Sequence, residues 1–385
     1  MRIFRVFNDG LKIPTTNVLQ NIFMQAFIND LSGRIKEHAA SHQPLSIRGG
    51  NTKAFYGGEV IGEAIDMRPY NGIIEYEAKE LVLVVRAGTT LAEIEAAMDT
   101  ENQMLPFEPP RYNVHDEHAA SLATIGGTVA AGLSGPHRAY TGAVRDFVLG
   151  TRIMNGQGEC LNFGGRVIKN VAGYDVSRLM TGAMGTLGVL LDIAFKVLPK
   201  PASEMTLRFE MDEVTAIQSM NEWAGKPLPL SATSWFENCL MVRLSGAESG
   251  VKAAREKLGG ELLETQAGQG FWASCRDHND SFFASQTDQP LWRLSVPATT
   301  PPLQLGLPQF MEWGGALRWV RGAIDAKILR TKVGAIGGHA TLFRGGDKSV
   351  GVFHPLQPVL VPVHQNLKAT FDPANILNRG RMDNF

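Results

Sequence analysis

The chain has 385 residues, with 37 Lys+Arg against 38 Asp+Glu and a net charge of −1 at pH 7; at about 150 residues per domain, that length holds two or three domains. Its 44% hydrophobic content excludes disorder, and its 41 glycines, which follow no fixed period, exclude a fibrous repeat. Without a block of Lys and Arg there is no electrostatic footprint for nucleic acid, and Cys160, Cys239 and Cys275 are too widely spaced for a disulfide framework or an iron–sulfur or zinc cluster.

Residues 1–20 show no clear period and read as a loose tail. Met1–Gly10 lacks the apolar core of a secretory signal, and no window of about 18 residues is uninterruptedly apolar, so a cytoplasmic protein is expected. Ile22, Phe23, Ala26, Phe27 and Leu31 recur at helical spacing, which predicts a helix over Gln20–Ala40 leading into a strand at Leu45–Ile47. Leu81–Val85 is a β-rich run, and Thr90-Leu91-Ala92-Glu93 behind it has the capping-box spacing of a helix start. Phe147–Met154 predicts a strand, with Asn155-Gly156 as the positive-φ pair of a tight hairpin returning through Cys160 and Leu161. Leu187–Leu198 is a long strand ended by Pro199-Lys200-Pro201, the best domain boundary, because the prolines interrupt both helix and sheet pairing.

Beyond it, helices are expected at Glu213–Trp223 and Ser249–Leu258 around a strand at Leu240–Leu244. All six tryptophans fall at or after Trp223, as the core of a smaller layer or as an interface. Glycines return after Lys332, and a last helix is predicted near Val363–Thr370.

Neither G-x-G-x-x-G after a strand nor a P-loop is present. Directly after the first strand stands Arg48-Gly49-Gly50-Asn51-Thr52-Lys53, which reads as a tight turn or as a nest of backbone N–H groups for a pyrophosphate. Ala123–Gly135 interleaves small residues with Thr124, Thr128 and Ser134, as in a backbone that lies close to a flat ligand or in a small-residue helix packed on a sheet. A third element, Lys169–Asp175 followed by Gly182–Gly188, places a helix between two glycine turns. His115-Asp116-Glu117-His118 mimics a metal tetrad but reads as a solvated loop, so no metal is expected.

Three glycine-rich elements in this order resemble the FAD-binding domain of the vanillyl-alcohol oxidase/PCMH flavoprotein family. Arg48–Gly57, Ser134-Gly135-Pro136-His137-Arg138, Gly142–Asp146, Lys169–Leu179 and Gly185–Gly188 resemble its glycolate oxidase group. Val251–Arg255, Trp313–Trp319 and Gly337–Thr341 are similar to the smaller flavin subunits of that group. The resemblance implies an α+β fold: a PCMH-type FAD-binding domain of two α+β subdomains over residues 21–200, a smaller α+β cap over 201–330, and a segment 331–385 returning to the FAD domain. It implies that Gly49, Gly50, Asn51 and Thr52 bind the FAD pyrophosphate. Ser121, Thr124, Gly126, Gly127 and Thr128 would follow the phosphate and ribityl, with Ser134 and Gly135 near the ring and Leu187 and Gly188 offering backbone groups. Lys169 and Tyr174 are further candidates. Members that attach flavin covalently use a His in the first loop; Gly50-Asn51-Thr52 stands there, so FAD is expected to be non-covalent.

The resemblance further implies oxidation of glycolate, a 2-hydroxy acid, to glyoxylate. Partners would be a larger FAD subunit and an iron–sulfur subunit, with a quinone-type acceptor reached through them at the inner membrane. The Glu-His metal constellation of related D-2-hydroxyacid dehydrogenases is absent, leaving Gly338-His339-Ala340. His339 as base, with Arg318 or Arg344 as carboxylate clamp, are the catalytic candidates, each set against a packing or interface role. Two other readings stand beside this one: a non-catalytic relay or assembly subunit, and a stand-alone FAD-dependent reductase.

Overall fold

The computed structural model describes residues 18–112, 122–165, 175–284 and 289–382. The expected tail falls mostly outside them, as do Ser121, Lys169, Tyr174 and the His115–His118 tetrad. The first helix spans Val18–Ser41 and sets Met24, Ile28, Leu31 and Ile35 into a core with Leu45, Ile65, Val189 and Leu191. The next strand, Leu45–Arg48, pairs in parallel with Glu63–Asp66 and forms a bridge to Leu377 near the other end of the sequence.

A five-stranded antiparallel sheet carries the first half. Its order is Ile73–Glu77, Val82–Arg86, Val189–Lys196, Val148–Met154, Cys160–Gly164. Leu83, Val85, Ile193 and Phe195 pack from this sheet against the helices Leu91–Asp99 and Ile125–Ala131. Thr90 caps the first of these helices, its hydroxyl accepting from Glu93 N. The Asn155-Gly156 turn differs from expectation. The loop runs from Asn155 to Glu159, the left-handed residue is Gly158, and the Asn155 side chain accepts from Gln157 N and Glu159 N, so its polar tip helps to close the loop.

After Pro199, the chain builds an eight-stranded sheet, with Glu261–Leu262, Ser203–Glu210, Cys239–Gly246 and Leu230–Phe236 followed by Gln309–Glu312, Leu317–Arg321, Leu291–Ser295 and His339–Arg344. Neighbouring strands with assigned registers are antiparallel. The strand His339–Arg344 lies at its edge, so this sheet extends beyond residue 330. The return to the first half begins at Lys348, whose Nζ donates to Phe55 O and Gly57 O, and continues with the helix Val361–Phe371 and residues 372–382. There Lys368 Nζ donates to Thr186 O, Leu377 O and Asp372 Oδ2, the last at 2.7 Å, and Asp372 also accepts from Ile376 N and Leu377 N. Both side chains are buried, and every polar atom of the pair is hydrogen-bonded, as a buried ion pair requires. Among the described residues, no helix is long and apolar enough to cross a membrane.

Candidate functional site

The loop after the Leu45–Arg48 strand turns against the segment entering the Ile125–Ala131 helix. Leu91 N donates to Ala123 O, Ile125 N to Thr89 O and Gly126 N to Ala87 O, which fixes that segment along the end of the first sheet. At Gly50, an added Cβ would overlap the Leu122 carbonyl oxygen, so only glycine permits this approach. The turn at 182–184 closes a third side through Gly182 N to Val129 O and Met184 N to Ala130 O.

These walls line a cleft that opens to solvent. Gly49, Gly50, Asn51 and Thr52 line it, as do Thr124, Gly126, Gly127 and Gly188. Sequence reasoning missed its fourth wall, Asn378 and Arg381. Asn378 Oδ1 accepts from Ile47 N at 2.7 Å while its Nδ2 donates to Met184 O at 2.7 Å. Arg381 Nη1 reaches the carbonyls of Ala54, Tyr56 and Gly58 at 3.0–3.2 Å. The signal was present as Asn378-Arg379-Gly380-Arg381, a cationic glycine turn.

The charged residues lining the cavity are Arg48, Lys53 and Arg381, with no carboxylate among the described lining residues. Burial lowers the pKa of Arg381, and the nearby Arg48 charge lowers it further. Lys53 is half-buried and lines the cavity, with Thr52 Oγ1 at 3.4 Å as its hydrogen-bond partner. Desolvation, opposed by Asp277, brings its pKa down to about 8. Cations concentrated without counter-ions against close-approach backbone suit a polyanion, and the apolar Ile47, Met67 and Leu190 suit a flat ring system. The residues present therefore fit an FAD, which supplies two-electron chemistry when bound.

Other expected residues stand elsewhere. Thr128 is fully buried and its hydroxyl donates to Thr124 O, while Leu187 belongs to the sheet core. Ser134 accepts from Val144 N, and Gly135 O accepts from the Trp313 indole at 3.0 Å. Both line a second, smaller pocket between the two sheets rather than the large cavity.

The catalytic candidates do not converge. Arg318 is completely buried and donates to the carbonyls of Gly315, Pro301 and Thr300, so it ties a cap loop to its strand. His339 is exposed and stacks on His354 with ring centroids 5.4 Å apart. Arg344 lies at the other end of the same strand, roughly 16 Å away, where it meets His278 Nδ1 at 2.9 Å and covers the Phe55 ring.

Comparisons with known proteins agree with this geometry. Residues 26–164 match the family model described as an FAD binding domain. The whole architecture is similar to solved alkyldihydroxyacetonephosphate synthase, with TM-score 0.61 at 14% identity, covering 91% of this chain and 75% of that one. The fold and cavity thus define an α+β flavoprotein of the oxidoreductase class that binds FAD. At 45% identity over 94% of this chain and 97% of the relative, it is similar to glycolate oxidase subunit GlcE of Escherichia coli (strain K12). The chain belongs to that GlcE family. Partial matches of about 30% identity link it to glycolate oxidase subunit GlcD of Bacillus subtilis, covering 27% of that protein, and to a D-lactate dehydrogenase of Anaerostipes hadrus, covering 33%.

Proposed function

We propose that the chain holds FAD non-covalently in the large cavity and serves as a flavin subunit of a multi-subunit glycolate oxidase, converting glycolate to glyoxylate. The observation that carries this is the cation-lined glycine cradle of Arg48–Lys53, closed by Asn378 and Arg381, in a chain similar to GlcE over nearly its whole length. Gly49 and Gly50 bring the backbone to the pyrophosphate. Arg48, Lys53 and Arg381 neutralise it, and Asn51 occupies the loop without a covalent bond to the ring. Residues 21–200 with 361–382 hold the cofactor, and the second sheet covers it. A larger flavin subunit and an iron–sulfur subunit take the electrons onward to a quinone-type acceptor, with the complex on the cytoplasmic face of the inner membrane.

A second reading, the relay or assembly subunit, is favoured by the scatter of His339, Arg318 and Arg344. Anaerobic absorbance of the purified chain separates the two. Bleaching of its flavin band by glycolate alone supports catalysis by this chain; bleaching only after partner subunits are added supports the relay; purification without any flavin band overturns both.

A further inference from the structure

FAD carries two flat ring systems joined through its phosphates, and the apolar lining of the cleft comes from two separate cores. Ile47 and Met67 belong to the core under the first helix, while Tyr56, Ala131 and Met184 belong to the cluster that continues through Phe343 and Phe310 into the cap sheet. Tyr56 is the one aromatic side chain among the described residues that line the cleft. It is 8% exposed. Its ring centroid lies 5.1 Å from that of Phe343 and 5.7 Å from that of Phe353, with Phe353 edge-on.

The backbone around Tyr56 is held from two parts of the chain. Arg381 Nη1 donates to the carbonyls of Ala54, Tyr56 and Gly58, and Lys348 Nζ donates to those of Phe55 and Gly57 at 2.8 Å. Five successive carbonyls therefore accept from two cations, and hydrogen bonds with a charged donor are the stronger kind. The path of the loop, and with it the direction of the Tyr56 side chain, is set before any ligand enters. Tyr56 N donates to Lys53 O, so the hydroxyl is the one polar group of this residue without a partner among the described residues. A phenol this deeply placed ordinarily finds a partner. The hydroxyl is also not sealed off by protein, so a ligand in the cleft can reach it. Burial raises its pKa against the charge of Arg293, which keeps the phenol a neutral hydrogen-bond donor at pH 7.

We propose that Tyr56 is the side chain that meets the isoalloxazine of FAD, its ring packed against that flat system and its hydroxyl donating a hydrogen bond to the cofactor. This rests on the reading of the cleft as an FAD site. Phenylalanine would fill the aromatic cluster equally well, so packing leaves the hydroxyl unexplained. The isoalloxazine is assigned in preference to the adenine because Tyr56 stands in the cluster shared with the cap, and binding sites favour the junction between two domains. Tyr56 fixes where the ring sits and takes no part in proton or hydride transfer.

The test uses the full-length flavoprotein and reads flavin emission. An excited flavin in contact with tyrosine takes an electron from it and goes dark, and phenylalanine is too poor a donor to do the same. Emission per bound flavin in the wild type is expected to fall well below that of free riboflavin 5′-phosphate. Tyr56→Phe is expected to raise it severalfold and to weaken FAD binding about 5-fold, and Tyr56→Leu, which also loses the ring, about 30-fold. Wild-type flavin as bright as the free compound overturns the proposal, as does Tyr56→Phe with unchanged FAD affinity. Tyr56→Phe that binds FAD more weakly at unchanged emission places the tyrosine at the adenine and overturns it too. In each of these cases the retained flavin band leaves the cofactor reading standing. Wild type that purifies without flavin and takes up no added FAD overturns both.

Discussion

The glycine cradle and the small pocket beneath the cap are built in opposite ways. The large cradle is made mostly of backbone from contiguous glycine-rich stretches, tight enough that an added methyl group at Gly50 meets the Leu122 carbonyl. The small pocket is made of side chains from Tyr112 to Trp319, brought together where residues 133–136 and the end of the helix Thr265–Asp277 meet the cap sheet. Backbone sites tolerate almost no change in shape, whereas side-chain sites tolerate shape changes and respond to charge. Mutations should therefore fail by different routes in the two places.

The sharpest contrast is Gly50→Ala. Its Cβ cannot be accommodated without moving the 122–124 segment, so the variant is expected to purify without a flavin band and to melt more than about 10 °C below wild type. The next largest effect is Asp372→Ala, which leaves the Lys368 ammonium buried without its counter-ion. A loss of about 3–5 kcal/mol in denaturant unfolding is expected, together with weakened flavin retention, since Asp372 also holds the backbone of Ile376 and Leu377.

Glu312→Gln, in the small pocket, should act in the other direction. Its folded-state pKa of about 7 stands above the ordinary 4.5, so the folded state favours the protonated form and the cost of ionisation grows as pH rises from about 4.5 through 7. The variant is expected to be more stable than wild type by up to roughly 3 kcal/mol at pH 8 and equal to it near pH 4.5, measured by urea unfolding at both pH values.

Lys53→Met sharpens the cradle side. With a folded-state pKa near 8 against an ordinary 10.5, the cost of the buried ammonium is present below pH 8 and relieved between 8 and 10.5. Wild-type apoprotein should therefore gain stability over that window while its FAD affinity falls. The methionine variant should lose about tenfold in FAD affinity at pH 7 and show neither trend. The smallest change is Gly33→Ala, whose added methyl meets nothing within 4 Å in the first helix. It is expected to raise stability by about 0.5–1 kcal/mol with flavin binding unchanged.

This contrast also explains what the sequence disclosed. Arg48–Lys53 and Thr124–Gly127 were readable because glycines needed for close approach sit together in the chain, next to a strand and a helix whose hydrophobic periods are clear. Asn378 and Arg381 were not, because their role depends on a strand-like bridge between Leu45 and Leu377. Ser134 and Gly135 follow the same helix in sequence but pass under the cap, where Trp313 takes the Gly135 carbonyl. Arg318 was a candidate carboxylate clamp, yet each of its three nitrogens donates to a backbone carbonyl. Arg293 and Glu312, which line the small pocket, carry no local pattern at all; only the cap register makes them neighbours of Trp319.

The clasp that joins Ile47 to Asn378, and Ala54, Tyr56 and Gly58 to Arg381, has a consequence for biosynthesis. The loop at Arg48–Lys53 is made more than 300 residues ahead of the residues that brace it. A nascent chain cannot complete the cradle until translation has passed Arg381, so cofactor loading becomes a late step that follows synthesis of the cap. A ribosome-stalled chain lacking residues 378–382 should leave FAD in solution, and bound flavin would then report on chains synthesised past Arg381.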